Sequence, residues 1–264
     1  MCNGDAGLEV QANWTRSKFA HCEVLAFNPK MPQRGEEPIG DSGVEVLAAS
    51  LFRMHRLRRL DLSNNDITVQ GLGVLMKALK HSSTLEVLIL DGNRLGDAGA
   101  KIIGKLLQRR HANRNLHYIS LRECGITAEG VLDLVDRFNH PFVKQVELGR
   151  NRIGDTGALI LADAIADGAV TNVRYWGLES NGIETAGALA LVEAAGEILS
   201  TEQSQKNSAT TVVPISLDLE QNSIAFSQTL SEAAQSSGVL VYVAGNPIVN
   251  PAVLVNTTNN TTPA

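Results

Sequence analysis

The chain has 264 residues, 44% hydrophobic and 19% charged, which is enough apolar material for a folded core and excludes a globally disordered chain. It has no run of about 18 apolar residues, and its opening stretch MCNGDAGLEVQANW lacks the basic and apolar regions of a signal peptide, so neither a membrane span nor secretion is expected. The net charge of -5 is uneven: residues 1–132 hold 17 Lys+Arg against 14 Asp+Glu and residues 133–264 hold 6 against 14, a polarity that can orient a charged partner but is too weakly basic for a nucleic-acid footprint.

Along the chain, residues 1–21 precede the first recognisable strand and are expected to cap one end of the core, with Trp14 and Phe19 as cover. CEVLAF (22–27) opens a first unit, which the Pro- and charge-rich stretch 28–38 interrupts as an expected exposed loop. LRRLDLSNNDI (57–67) then returns as LEVLILDGNRL (85–95), LHYISLRECGI (116–126), VKQVELGRNRI (143–153) and VRYWGLESNGI (173–183). PISLDLEQNSI (214–224) and GVLVYVAGNPI (238–248) are weaker copies, making about eight units over 22–250. The polar run 200–211 is read as a second inserted loop, and 251–264 as a polar, disordered tail.

A ninth-place Asn or Cys recurs at Asn65, Asn93, Cys124, Asn151, Asn181, Asn222 and Asn246, with steps of 28, 31, 27, 30, 41 and 24 residues. In L-x-L, alternate residues face opposite ways, so the leucines point into a core and the residues between them face out. An apolar helical segment follows most copies, with a glycine in its first turn at Gly43, Gly71, Gly99, Gly130, Gly157 and Gly187. Asp41, Asp97 and Asp155 are expected to complement the starts of their own helices. The Asn amides can satisfy turn backbone groups, so Cys124 in that column reads as structural, as does Cys22 at a leucine position. Three separated cysteines form no disulfide or zinc framework and suit a reducing compartment, cytosolic or nuclear.

These segments resemble the ribonuclease-inhibitor-like subfamily of leucine-rich repeats, also found in Ran GTPase-activating proteins and in NOD-like receptors. The resemblance implies an α/β horseshoe solenoid of one domain, with a parallel sheet on the concave face and helices on the convex face. It specifies fold far more than function.

No catalytic, dinucleotide-binding or P-loop motif is present, and the six histidines stand at unrelated repeat positions, so no cofactor, metal site or small-molecule substrate is expected and the chain reads as a non-enzyme. What remains is surface. The outward strand positions place Arg59, Asp61, Asp91, Tyr118, Arg122, Glu147, Arg150, Tyr175, Glu179, Asp218, Glu220 and Tyr242 on one concave face, aromatic and acidic around a few arginines, as in protein recognition. A basic rim comprises Arg53, Arg56, Arg58, Lys105, Arg109 and Arg110. Its cations complement helix C-termini, and an acidic tail or an RNA backbone is the functional alternative. The expectation is a cytoplasmic protein-binding scaffold, a subunit of a larger assembly such as a cytoskeletal or ciliary one. Activation of a small GTPase, or a place in a ribonucleoprotein assembly, are the alternatives.

Overall fold

In LRRLDL the three leucines Leu57, Leu60 and Leu62 are at most 2% exposed, while Arg59 between them faces outward. Repetition of that pattern builds the molecule. The computed structural model describes residues 2–3, 22–27, 29, 37–80, 82–108, 114–136, 138, 140–205, 212–225, 228–243 and 246–248, with backbone alone at 2–3 and 246–248. The strands are β1 (Cys2–Asn3), β2 (Val24–Ala26), β3 (Arg59–Asp61), β4 (Val87–Ile89), β5 (Tyr118–Ser120), β6 (Gln145–Glu147), β7 (Tyr175–Gly177), β8 (Ser216–Asp218), β9 (Leu240–Val243) and β10 (Asn246–Ile248). They form one sheet in chain order. From β2 to β9 each pairs parallel with the next in a constant register, so that Arg59, Val87, Tyr118, Gln145, Tyr175, Ser216 and Leu240 form a row.

Between strands run α1 (Gly40–Leu51), α2 (Val69–Leu79), α3 (Gly96–Leu107), α4 (Ala128–Val135), α5 (Gly154–Ala166), α6 (Thr185–Gln205) and α7 (Gln228–Ser237). Their buried faces and the inward leucines make one continuous core, in which Trp176, Cys22 and Cys124 are at most 2% exposed. A single unit has one apolar side on its strand and another on its helix, and only stacking covers both, so stability is shared between neighbours.

The helices start in two alternating ways. Thr68 and Thr127 cap α2 and α4 by accepting the N–H of Gln70 and Glu129. Helices α1, α3 and α5 begin at the positive-φ glycines Gly40, Gly96 and Gly154 and have no side-chain cap. Asp41, Asp97 and Asp155 lie in the first turns of these helices, where their charge complements the N-terminus as expected, but none caps its own helix by a side-chain hydrogen bond. Asp97 accepts the backbone N–H of Thr127 (2.7 Å) and its hydroxyl (2.8 Å) in the next repeat. Gly130 makes room for that carboxylate, since a Cβ there would stand against Asp97 Oδ1.

The asparagine column behaves as expected. Asn93 Oδ1 accepts from Asn65 and Ile67 N–H at 3.1 and 3.0 Å, and its amide donates to the carbonyls of Leu62 and Leu90 at 2.9 and 2.7 Å. Asn151 and Asn222 repeat the arrangement. Cys124 keeps only weak S–H contacts, 3.4 Å, to the carbonyls of Leu90 and Arg122.

Three expectations need amendment. The parallel run ends at β9, because β10 returns antiparallel to it with Asn246 opposite Val243, closing the sheet with a hairpin; the Asn246 side chain lies outside the described residues. Residues 200–205 of the inserted run 200–211 are the last turns of α6 rather than loop, held by an ion pair from Glu202 to Arg174 on the approach to β7. At the other end, Cys2–Asn3 adds a parallel strand to β2, ahead of the strand expected to be first. The remainder of the cap, including Trp14 and Phe19, most of 28–38, residues 206–211, the tail 251–264, and Arg109 and Arg110 of the rim lie outside the described residues.

Candidate functional site: the concave face

Strand geometry fixes which side chains meet on the open side of the sheet. Adjacent parallel strands lie about 4.8 Å apart, so outward residues of neighbouring repeats touch. Arg122, just after β5, reaches across β6 to two carboxylates. Its Nη1 is 3.3 Å from Glu147 Oε2, and its Nη2 contacts Glu179 Oε1. Its backbone N–H donates to Asp91 Oδ1 at 2.9 Å, and the Ser120 hydroxyl donates to the same oxygen at 2.5 Å. Tyr175 O–H donates to Asp218 Oδ2 at 3.3 Å, which continues the group into β8. One guanidinium thus stands among three carboxylates, with a fourth, Asp218, beyond Tyr175.

Several of these acids are buried rather than spread over open surface. Glu147 and Glu179 are 9% and 6% exposed. Two glycines make this burial feasible: the Glu179 carboxylate occupies the space a Cβ would take at Gly149, and Glu147 does the same over Gly177. Glu179 touches Arg122, yet neither of its oxygens accepts a hydrogen bond of ordinary geometry. Burial pushes Glu147 up to about 7, with Glu179, Asp218 and Asp91 adding to the rise and Arg122 opposing it. Burial also raises Asp91 and Glu179. Burial works against the charge of Arg122, but Glu179, Glu147 and Asp91 together outweigh it and hold its pKa above the ordinary value. Tyr118 and Tyr175 are raised by burial and by Glu147, so both remain neutral hydrogen-bonding aromatics.

The other predicted residues fall around this centre. Arg59 approaches Asp61 at 3.5 Å in β3, and Asp61 is 7% exposed and accepts the Ser63 hydroxyl at 2.6 Å. Glu220 and Tyr242 stand, partly exposed, toward the C-terminal end of the sheet. Arg150 is ion-paired to Glu123, 3.6 Å away, at the loop edge, and its charge also favours the ionised form of Glu179 in the Arg122 cluster. On the rim, Arg58 pairs with Glu86 at 3.0 Å, Arg53 lies 5.0 Å over the Phe52 ring, Arg56 is exposed, and Lys105 sits in the last turn of α3. The rim and the Arg122 cluster are separate surfaces. Sequence reasoning missed Gly149, Gly177 and Ser120 as parts of the site. Their signal was faint, small residues at outward strand positions beside acids of the next repeat.

Among the described residues no group of three or more His, Cys, Asp or Glu could hold a metal ion, and no helix is long and apolar enough to cross a membrane.

Comparison with known proteins agrees with this architecture. The Leucine Rich repeat family model matches residues 54–76, 81–104, 112–135 and 139–162. NACHT, LRR and PYD domains-containing protein 3 of Bos taurus is 32% identical over 154 residues, covering 55% of this chain and 15% of that protein. Ribonuclease inhibitor of Sus scrofa is 31% identical over 160 residues, covering 56% of this chain and 34% of that protein. The chain thus spans about a third of the length of the ribonuclease inhibitor and less of the NACHT, LRR and PYD domains-containing protein. A solved chain in the mouse RP105/MD-1 complex matches over 92% of this chain and 55% of that one at 14% identity, with a TM-score of 0.32, too loose to add to the fold described above.

Proposed function

Because the chain is a leucine-rich-repeat protein of the ribonuclease-inhibitor-like kind, we propose that it is a non-catalytic binding protein whose concave sheet receives a basic segment of a protein partner. The observation that carries this reading is the deficit of positive charge around Arg122. Asp91, Glu147 and Glu179 share the Arg122 guanidinium, Asp218 adds to the negative charge felt by Glu147 and Glu179, and the further cation acting on Glu179 is Arg150. A partner's Lys or Arg at the mouth of this cluster relieves carboxylate repulsion that the free protein bears, and Tyr118 and Tyr175 offer aromatic contact beside it.

The finer reading is a scaffold subunit of a larger cytoplasmic assembly, cytoskeletal or ciliary. What supports it is the presence of two surfaces of opposite sign on one solenoid, the acidic concave face and the rim at Arg53, Arg56, Arg58 and Lys105. Tagged protein should co-purify with a stoichiometric complex that weakens as salt is raised. Replacing Tyr118 and Tyr175 together by Ala, or Glu147 and Glu179 together by Gln, should dissolve it. Associations that survive both double changes would remove the concave face from the account. Acceleration of GTP hydrolysis by a small GTPase would replace the scaffold reading with the regulatory one.

A further inference from the structure

At the edge of the sheet where β4, β5 and β6 turn toward the convex helices lies an open cavity of about 490 Å³, lined among others by Arg94, Glu123, Gly125, Arg150 and Arg152. Its origin is in the repeat register. The residue following the ladder position is Arg94, Gly125 and Arg152 in three successive units, whereas the flanking units carry Asp66, Gly182 and Ser223 there. Gly125 contributes no side chain, and nothing stands within 4 Å of where its Cβ would be. Arg94 and Arg152 therefore flank a gap one repeat wide, and Arg150 lines it from the preceding turn of its own unit.

These guanidiniums are lightly engaged. Arg94 is 3.4 Å from Asp66 with side-chain exposures of 79% and 55%. Arg150 is 3.6 Å from Glu123 at 54% and 49%. Arg152 has no ion pair among the described residues. Exposed pairs of this kind contribute little to stability, so an incoming anion displaces them at little cost. Three guanidiniums against the carboxylates of Asp66 and Glu123 leave a net positive charge at the cavity, in contrast to the acidic concave face nearby. Arginine's planar fork suits the oxygens of a phosphate group. The volume falls within the range of about 300–1,000 Å³ usual for small-molecule sites and exceeds what one phosphate needs.

We propose that this cavity binds a small anion carrying two or more phosphate groups, with Arg152 as the uncommitted contact and Arg94 and Arg150 turning to it from Asp66 and Glu123. The proposal does not rest on the concave-face reading: Arg122 and the acids it contacts do not line the cavity, and Arg150, whose charge also acts on Glu179, is the one residue common to both surfaces.

Titration calorimetry of the full chain with pyrophosphate, ATP and inorganic phosphate, at fixed ionic strength, tests it. Saturable uptake of pyrophosphate or ATP at one site is expected, with inorganic phosphate clearly weaker. Arg94→Ala combined with Arg152→Ala should weaken that uptake by about tenfold or more, since two charge-assisted contacts are lost. Both residues are exposed, so the unfolding midpoint should stay near that of the wild type, and Arg152→Gln alone serves as a gentler variant. The pair Lys77→Ala with Lys80→Ala makes the same change in net charge elsewhere and should leave uptake unaltered. Absence of saturable uptake of both polyphosphates, an equal loss in the control pair, or inorganic phosphate binding as tightly as pyrophosphate would overturn the proposal. ATP binding more tightly than pyrophosphate supports it with a nucleoside contribution, and equal binding supports it with recognition of the phosphates alone.

Discussion

Asp41 is bonded to Thr68 of the following repeat rather than to its own helix: Oδ1 accepts the Thr68 backbone N–H at 2.8 Å and Oδ2 accepts its hydroxyl at 2.6 Å. The carboxylate sits where Gly71 has no Cβ, and Thr68 in turn caps α2. The same relation joins Asp97 to Thr127, and Asp155 accepts the backbone N–H of Glu184 at 2.7 Å. Each carboxylate thus couples one repeat to the next, by local bonds rather than by burial alone. Asp97→Ala should lower stability by about 2–3 kcal/mol in urea unfolding, the loss expected for hydrogen bonds to a charged acceptor. Gly130→Ala should cost a similar amount by displacing the same carboxylate. The double variant should cost clearly less than the sum, as residues sharing one contact couple; full additivity would refute the bridge.

Asn93 and Cys124 occupy equivalent rungs with unequal duties. Asn93→Ala leaves the N–H groups of Asn65 and Ile67 and the carbonyls of Leu62 and Leu90 without their partner. At about 1–3 kcal/mol for a buried unsatisfied group, the loss should be at least about 3 kcal/mol. Cys124→Ala removes only weak S–H contacts and a small volume, and should cost roughly 1 kcal/mol. Denaturant midpoints of the two variants decide it, and equal losses would mean that the amides are not what hold the turns.

The Cys124 thiol should be inert in the folded protein. It is 2% exposed, and burial pushes it up to about 12, so little thiolate exists at neutral pH. A pulse of iodoacetamide at pH 8 followed by peptide mass analysis should leave Cys124 unmodified in native protein and modify it in urea. Rapid native labelling would contradict the buried position.

Stability should fall as pH rises across the range that titrates Glu147. Its pKa is lifted from 4.5 to about 7 on folding, so the folded protein holds the proton more tightly than the unfolded chain. The favourable contribution is complete below about 4.5 and is lost as pH climbs through about 7. Asp91 and Glu179 are raised as well and act in the same direction. Glu147→Gln should flatten part of this slope and, at pH 8, be more stable than the wild type by on the order of 1–3 kcal/mol. Thermal unfolding from pH 4.5 to 8.5 reads the sign, and a wild type that gains stability across pH 5–7 would contradict the buried-acid cluster.

Much of the concave face could be read from the residues in order. The alternation of Leu60 and Leu62 with Arg59 and Asp61 places each side chain on a face without further information, and the constant register then sets Tyr118 beside Gln145 and Tyr175. That reasoning treated Glu147 and Glu179 as surface acids, because burial of an outward residue depends on its neighbours' sizes. The empty space at Gly177 and Gly149 is what draws these carboxylates in. Arg150 was assigned to the same group by position alone, yet its positive-φ backbone, at 56°, goes with a side chain that turns to Glu123 at the loop edge.

By itself the sequence determined the unit of construction: short inward-leucine strands, a polar ladder at the ninth place, an outer helix, and the stacking of such units into one sheet. Those features follow from periods of two and of about thirty residues, both visible along a linear chain. Tertiary structure decided what each repeat does for its neighbour. The bond from Asp41 to Thr68 spans 27 residues, the pair of Arg174 with Glu202 that extends α6 spans 28, and the closing hairpin turns β10 against the parallel run. Each depends on which side chains the register brings face to face and on how much room a small residue leaves between them. Packing fixes both in three dimensions, and no local pattern encodes them.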